Sequence, residues 1–246
     1  YRLPYYPDRI AHHAIMNVVK YIFTKSFIHN TYSCIEGRGI HLCANNLKRD
    51  LRKYPNETKY CLKLDIRKFY SSIPHNGLKK CIRKKIKDKD FLMILDEIID
   101  STDNVRDISS KLTNKIGIGV PIGNYLSQYF ANLYLSELDH LCKEELKCKF
   151  YYRYADDIVI LSDNKDFLHK VLIYIKLYVH TIGLKVKDNY QIYPVDSRGI
   201  NFVGYVFYHT HTLIRKSIKY KIIRLVNSYL NREIDKNLAE LKALLN

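Results

Sequence analysis

The stretch YYRYADDIVIL, from Tyr151 to Leu161, places two adjacent carboxylates between two apolar segments. The flanking residues are largely aromatic or β-branched, which is typical of strands. The stretch therefore predicts a β-hairpin with Asp156 and Asp157 at its tip. Adjacent negative charges repel each other. Such a pair is either a turn that uses the hydrogen-bonding capacity of Asp or a site where cations hold the two carboxylates.

Composition bounds the class of protein. The chain has 246 residues and is 47% hydrophobic, enough for one large globular unit or for two or three coupled subdomains. No apolar run reaches the ~18 residues of a membrane helix, and the start, YRLPYYPDRI, lacks the apolar core of a signal peptide. The six cysteines show no C-x-x-C and no paired Cys/His spacing, which argues against a zinc site. We therefore expect a cytoplasmic protein with reduced thiols and no membrane partner.

Charge points to the class of partner. Lys and Arg number 41 against 25 Asp and Glu, a formal net charge of +16, which predicts attraction to a polyanion, with nucleic acid favoured over membrane. Residues 79–89 contain seven basic side chains and one acidic, and residues 198–246 contain nine basic and three acidic. Each segment is interpreted either as a solvated helix face or as a surface for a phosphate backbone.

Hydrophobic periodicity predicts helices and short strands without strict βαβ alternation, hence an α+β fold with a sheet covered by helices. A first helix is predicted over 8–29, with an apolar face at Ile10, Ala14, Val18 and Ile22. The further predicted elements, in chain order, are a helix after the Gly-flanked turn at Arg38, a strand at Tyr60–Ile66, one or two helices in 76–101, a helix capped by Asn124 with an apolar face from Leu126 to Leu141, the hairpin, a helix ending near Gly183, short strands in 184–195 and 199–208, and a helical tail from Ile214.

A third carboxylate, Asp65, favours the interpretation of the Asp pair as a cation-binding site. Asp65 ends the predicted strand at Tyr60–Ile66, so if that strand neighbours the hairpin, three carboxylates converge at one edge of the sheet. Their mutual repulsion requires cations. Hard oxygen ligands suit Mg²⁺, and two such ions ~3.5–4 Å apart assist in-line phosphoryl displacement. In a basic chain this cluster points to a nucleotidyl transferase or a nuclease.

The motifs, in order, resemble those of reverse transcriptases. YADD (154–157) is similar to their [YF]-x-D-D hairpin, and LKLDIRKFYSSI (62–73) to their first palm motif. GVPIGNYLSQYFANLYL (119–135) resembles the loop-helix motif that follows, FVGY (202–205) the primer grip, and PDRIAHHAI with EGRG the fingers motifs. The resemblance implies a right-hand polymerase fold. The fingers would span residues 1–59 and 75–115. The palm, an antiparallel sheet packed by helices, would span residues 60–74 and 116–208, and a short, partial helical thumb would span residues 209–246.

The loop-helix motif narrows the resemblance. IGNYLSQ (122–128) replaces the Q-G-x-x-x-S-P of group II intron enzymes and resembles the bacterial and phage reverse transcriptases of diversity-generating retroelements. Those enzymes copy a template-repeat RNA with errors at adenines and work with a small basic accessory protein. Group II intron, retron, defence and CRISPR-associated reverse transcriptases remain alternatives. A non-catalytic RNA-binding or maturase module is a third reading, which the three retained carboxylates oppose.

Residue roles follow from the resemblance. Asp65, Asp156 and Asp157 would be catalytic and bind two Mg²⁺ ions, for which Mn²⁺ can substitute, and the Ile66 carbonyl would add a ligand. Tyr70 would be the steric gate that selects deoxynucleotides, with core packing as the alternative. The remaining implied roles are nucleotide binding by Arg38, Ile122, Gly123 and Gln128, a primer grip at Phe202, Val203, Gly204 and Tyr205, and backbone contacts to primer, cDNA and template RNA from Arg215, Lys216, Lys219 and Arg224.

Two positions depart from the common pattern of the family. Ile122 stands where a glutamine would hydrogen-bond near the incoming dNTP, which leads us to expect low fidelity. Many relatives carry a lysine in L-N-x-x-K-T that protonates the leaving pyrophosphate. GLKVKDNYQ places Tyr190 at that position, so no general acid is assigned, and Lys185 and Lys187 are alternatives.

Overall fold

The computed structural model describes residues 7, 9–109, 117–120 and 125–244. Helices and strands alternate irregularly along these ranges, as the periodicity predicts. The helices are α1 (Ile10–Thr24), α2 (Ile40–Lys53), α3 (Phe69–Ser72), α4 (His75–Lys85), α5 (Lys89–Ser109), α6 (Tyr125–Tyr134), α7 (Ser136–His140), a π-helical turn (Leu141–Glu145), α8 (Lys165–Thr181), α9 (Val195–Arg198) and α10 (Lys216–Leu244). The strands are β1 (Tyr60–Asp65), β2 (Phe150–Tyr154), β3 (Asp157–Ser162), β4 (Gln191–Pro194), β5 (Ile200–Phe202), β6 (Tyr205–Phe207) and β7 (Thr212–Ile214).

The main sheet has the strand order β2-β3-β1-β4 and is antiparallel throughout. The two central strands, β1 and β3, are the ones that end or begin at the acidic residues. Their register pairs Asp65 with Asp157, so the strand does neighbour the hairpin, which is the condition under which the three carboxylates converge. A second sheet, in the order β5-β6-β7, follows.

Both faces of the main sheet are covered, which explains why its strands are continuously apolar rather than alternating. Leu62 and Ile160 pack into a core with α1 and α4 to α8. Val159 and Leu161 point to the other face and pack into a core with α2 and the β5–β6 hairpin. Because side chains alternate along a strand, a slip of one residue would exchange the two cores.

The first helix is shorter than predicted and buries a different face. It ends at Thr24 rather than near residue 29. Ile10 and Val18 are exposed, whereas the helix buries His12, Met16, Val19 and Phe23. Phe23 packs against Phe130 of α6. The predicted apolar face was wrong because contact with α6, a long-range partner, selects the buried stripe.

The basic segment 79–89 lies on α4 and its junction with α5. Lys79 pairs with Asp100, Arg83 with Asp96, and Lys84 with Glu137. The acidic partners come from α5 and α7, so these three cations neutralise neighbouring helices. Pairing with protein carboxylates was not predicted for this segment, and its two interpretations, a solvated helix face and a surface for a phosphate backbone, stay predictions. No helix in the described ranges has the length and apolar content needed to cross a bilayer.

A buried ion pair connects the hairpin to the helices. Arg153 and Asp139 are both fully buried, and the guanidinium donates from Nε to Asp139 Oδ1 at 2.7 Å and from Nη2 to Oδ2 at 2.6 Å. The same carboxylate accepts hydrogen bonds from Thr31 and Tyr151. Arg153 Nη1 also donates to Asn132 Oδ1 at 3.1 Å. Every strong donor and acceptor of the pair is thus used, which is the condition under which a buried charge pair is tolerated.

Removal of one partner of this pair should unfold the protein at much lower denaturant. We expect Asp139→Ala to reduce the free energy of unfolding by about 3–5 kcal/mol, because the guanidinium would stay buried without its counter-charge. Urea titration followed by circular dichroism measures the change. The matched control is Asp188→Ala, which removes an exposed carboxylate paired with Lys185 and should shift the midpoint little. Equal midpoints for the two variants would contradict the assignment.

Candidate active site

The three predicted carboxylates converge at the end of the two central strands. Asp65 is the last residue of β1, Asp157 is the first of β3, and the two are paired across the ladder. Asp156 occupies the tight turn between β2 and β3, and its carbonyl accepts a hydrogen bond from the N–H of Ile66 at 3.2 Å. The turn is therefore fastened to the strand that carries the third carboxylate.

The turn has an unusual backbone conformation. Ala155 has φ = 54°, in the left-handed region that non-glycine residues rarely adopt. Its carbonyl accepts a hydrogen bond from Arg153 Nη1 at 2.9 Å. The buried Arg153–Asp139 pair thus holds the residue that precedes the two aspartates, and the direction in which their side chains leave the hairpin depends on this bond.

Burial and mutual repulsion affect the acidity of the cluster. Burial raises the pKa of Asp156, and the nearby Asp65 raises it further. Burial raises the pKa of Asp157 to about 6, with Asp65 and Asp156 adding to the rise and Lys63 opposing it. Both carboxyls therefore need positive charge nearby to be fully ionised.

Two lysines supply positive charge to the cluster. Lys187 Nζ lies 2.7 Å from Asp65 Oδ2, and Lys63 Nζ lies 3.4 Å from Asp157 Oδ2. Lys63 was not singled out by the sequence reasoning, although its spacing of two residues from Asp65 on one strand places both on the same face. Lys187 was considered as a proton donor to pyrophosphate, and its contact with Asp65 had no local signal in the sequence.

The oxygens of the cluster fit a divalent cation. Within the described part of the chain, Asp65 Oδ1 and Asp157 Oδ1 are buried and accept no hydrogen bond, which is costly for a carboxylate unless another cation binds it. Carboxylate oxygens are the ligands that Mg²⁺ prefers. No group of three or more His, Cys, Asp or Glu side chains in the described ranges is placed to hold a metal ion, so joint ligation by the three aspartates requires their side chains to move.

Tyr70 lies close to the cluster, as its spacing from Asp65 predicts. It follows Phe69 in α3, and its carbonyl accepts a hydrogen bond from Val120 N at 2.8 Å. The ring is half-buried, and burial raises its pKa to about 12, with Cys34 and Asp156 contributing negative potential. The phenol therefore lies near Asp156, and its role as a steric gate stays a prediction.

The other predicted nucleotide-binding residues are more dispersed. Arg38 donates from Nη1 to the carbonyl of Ile28 at 2.6 Å and to that of Thr31 at 3.4 Å, so its guanidinium fastens the loop before α2. Gln128 is half-buried on α6. Ile122 and Gly123, like the predicted cap at Asn124, lie outside the described residues.

The predicted primer grip is the turn between β5 and β6. Phe202 is fully buried and anchors the hairpin in the core shared with α2. Val203 and Gly204 have positive φ values of 41° and 91°, and Tyr205 begins the return strand. The turn is thus rigidly defined by buried packing on one side.

The predicted thumb residues differ in their surroundings. Arg215 N donates to the carbonyl of Gly204 at 3.0 Å and its Nε to Asn201 Oδ1 at 2.8 Å, so it joins the base of α10 to the β5–β6 hairpin. Lys216, Lys219 and Arg224 are exposed on α10. The helix therefore presents cations beside the hairpin, and their contact with nucleic acid stays a prediction.

Comparison with known proteins agrees with this geometry. A sequence profile of the family described as reverse transcriptase (RNA-dependent DNA polymerase) matches residues 1–207. Protein YkfC of Escherichia coli is 24% identical over 99% of this chain and 70% of its own length. The retron Ec73 reverse transcriptase of Escherichia coli is 26% identical over 96% and 74%. A putative COX1/OXI3 intron 2 protein of Saccharomyces cerevisiae is 22% identical over 61% of this chain and only 24% of its own length.

Solved structures show the same architecture. Apo telomerase from Candida tropicalis superposes with a TM-score of 0.60 at 17% identity, covering 83% of this chain and 40% of the telomerase chain. The telomerase of that organism in complex with a fragment of telomeric RNA gives a TM-score of 0.56 at 18% identity over 85% and 37%. At this identity the likeness concerns the fold, and it confirms the predicted right-hand α+β architecture. With the family profile covering most of its length, the chain belongs to the reverse transcriptases, the RNA-dependent DNA polymerases.

Proposed function

We propose that this chain carries out RNA-templated DNA synthesis with Asp65, Asp156 and Asp157 as its catalytic carboxylates. The observation that carries the proposal is their convergence in one half-buried cluster at the end of β1 and β3, where the buried atoms Asp65 Oδ1 and Asp157 Oδ1 accept no hydrogen bond from the described residues. A reverse transcriptase that had lost catalysis would gain nothing from keeping this mutual repulsion.

The three carboxylates occupy different positions in the cluster. Asp65, Asp156 and Asp157 would together hold two Mg²⁺ ions, with Mn²⁺ as a substitute and the Ile66 carbonyl as a further ligand, and Asp65 and Asp157 face each other across the ladder. Bound metal supplies charge neutralisation of the triphosphate and activation of the primer hydroxyl. Asp156 lies in the turn fixed by Arg153 and Ile66, so its carboxylate is held where the primer terminus and the dNTP would meet.

The surroundings suit a template-primer duplex. The net charge of +16 favours a polyanion. The β5–β6 turn and the exposed cations of α10 lie side by side, joined by Arg215, so primer and template backbone would pass along them. Template RNA, primer or cDNA, and dNTPs are the partners that this arrangement requires.

Loss of one carboxylate should abolish polymerisation without unfolding the chain. We expect Asp156→Ala to reduce Mg²⁺-dependent dNTP incorporation on a primed RNA template by about 10²-fold or more, since stabilisation of transition-state charge is lost. Asp163→Ala is the control, because Asp163 follows the same hairpin but lies on the surface, and it should retain activity. Wild-type chain that binds primed RNA tightly yet incorporates no dNTP would instead indicate a binding or maturase module.

Tyr70 offers a test of sugar discrimination. If its ring lies beneath the sugar, Tyr70→Ala should raise the efficiency of ribonucleotide incorporation relative to deoxynucleotides by roughly tenfold or more, the effect expected when one steric contact is removed. Tyr70→Phe keeps the ring and should keep the discrimination. Steady-state incorporation of paired rNTP and dNTP substrates measures both. Unchanged selectivity in Tyr70→Ala would leave Tyr70 as a packing residue.

We further propose that the chain is of the diversity-generating type, on the strength of IGNYLSQ at 122–128. Its template would be a template-repeat RNA and its partner a small basic accessory protein. The similarity to the retron Ec73 enzyme over nearly the whole chain favours a retron-like lineage as the second candidate. Genes adjacent to this one discriminate between the two, since only the first requires a pair of template and variable repeats.

Ile122 links this lineage to fidelity. An apolar side chain cannot donate or accept a hydrogen bond near the templating pair, so Ile122→Gln should lower misincorporation opposite adenine by about two- to tenfold, the value of one hydrogen bond. Primer extension on adenine-containing RNA, with the accessory protein added, measures the ratio. Ile122→Val is the matched control and should leave the error rate high. An unchanged misincorporation rate in Ile122→Gln would show that this residue does not determine fidelity.

A further inference from the structure

Lys187 is attached to Asp65 by both its backbone and its side chain. Its N–H donates to the Asp65 carbonyl at 2.8 Å, and its ammonium lies 2.7 Å from Asp65 Oδ2. The preceding residue, Val186, forms a β-bridge with Ile66, and Lys185 accepts a hydrogen bond from Arg67 N at 2.7 Å. The segment 185–187 therefore lies along the exit of β1, which brings the Lys187 ammonium within reach of the Asp65 carboxylate.

Lys63 has the corresponding place on the other side of the cluster. Its ammonium lies 3.4 Å from Asp157 Oδ2 and also donates to the carbonyl of Asn201 in β5. Lys63 and Asp157 come from adjacent central strands and are diagonal neighbours in the register. Each of the two paired aspartates thus has one oxygen bound to a lysine, while its other oxygen accepts no hydrogen bond from the described residues.

A carboxylate in this state attracts a second cation less strongly. An ammonium already neutralises part of its charge, and a divalent ion at the other oxygen would lie close to that ammonium and repel it. Both lysine contacts are partly exposed, with side-chain exposures of 39% for Lys187 and 24% for Lys63. The two ammonium groups can therefore swing into solvent at modest cost.

We propose that Lys187 and Lys63 are built-in counter-cations of the acidic cluster, which hold Asp65 and Asp157 together in the metal-free protein and compete with the divalent metal for them. The inference rests on the proposed function, because it takes Asp65 and Asp157 as the metal ligands. Metal entry then exchanges one cation for another, and the lysines lower metal affinity while protecting the metal-free fold from carboxylate repulsion.

Lys187 provides the cleaner test, since Lys63 also contacts β5. Binding of Mn²⁺ to the full chain, followed by the electron paramagnetic resonance signal of free Mn²⁺, should be about two- to fivefold tighter in Lys187→Met than in wild type, the upper part of the range for a partly exposed ion pair. Lys185→Met is the matched control, because Lys185 pairs with Asp188 rather than with the cluster, and its affinity should equal that of wild type.

Thermal unfolding adds a second readout. Lys187→Met should melt at a lower temperature than wild type without metal, and the difference should narrow with saturating Mn²⁺, because at the same metal concentration the tighter-binding variant is stabilised more. In an Asp65→Asn background, Lys187→Met should change both readouts less than it does in wild type, since the contact with Asp65 is already absent and only the attraction to Asp156 and Asp157 remains.

The outcomes separate this inference from the proposed function. If the wild-type chain binds Mn²⁺ and Lys187→Met binds it equally or more weakly, the proposed competition between Lys187 and the metal is overturned, while the proposed metal site stands. If the wild-type chain binds no Mn²⁺ at the cluster, both the competition and the proposed function are overturned. An equal gain in Lys185→Met would show a general effect of surface charge and would also overturn the role of Lys187.

Discussion

The buried pair of Arg153 and Asp139 is the interaction on which the candidate active site depends. Removing two charges from water costs several kcal/mol per ion unless close geometry and further hydrogen bonds compensate. Here the compensation comes from four parts of the chain, namely β2, α6, α7 and the loop at Thr31. A guanidinium has fixed, planar donors, so satisfying all of them at once leaves the hairpin little freedom relative to the helices.

The buried pair of Arg153 and Asp139 also determines the geometry of the turn that carries the aspartates. Arg153 uses one of its donors for the Ala155 carbonyl, and so the buried pair stabilises a backbone conformation that alanine would otherwise avoid at a cost of about 1–2 kcal/mol. A turn held in this way keeps Asp156 beside the end of β1. The register of β1 and β3 then places Asp157 opposite Asp65. Rigid positioning and mutual repulsion are thus combined, with Lys63 and Lys187 reducing the repulsion.

The sequence predicted most of this site but not its surroundings. The hairpin and the strand ending at Asp65 followed from apolar runs interrupted by carboxylates, and both are present. The sequence left their adjacency open, and the register of β1 and β3 shows it. Arg153 lies inside the motif, yet its partner Asp139 is on a different helix and no local spacing connects them. The buried face of α1 and the ion pairs of α4 were likewise decided by distant helices. Contacts of this kind depend on the assembled fold, which local patterns do not encode.

The strand order of the main sheet has a consequence for how the protein folds during synthesis. β1 is translated early, but both strands that flank it, β3 and β4, are encoded far downstream. Until those segments leave the ribosome, β1 has two open edges, a state that favours aggregation. Pairing across such long separations is also slow. The candidate active site therefore forms only after β3 has been translated, so a nascent chain interrupted before β3 would carry Asp65 without the carboxylates that complete the site.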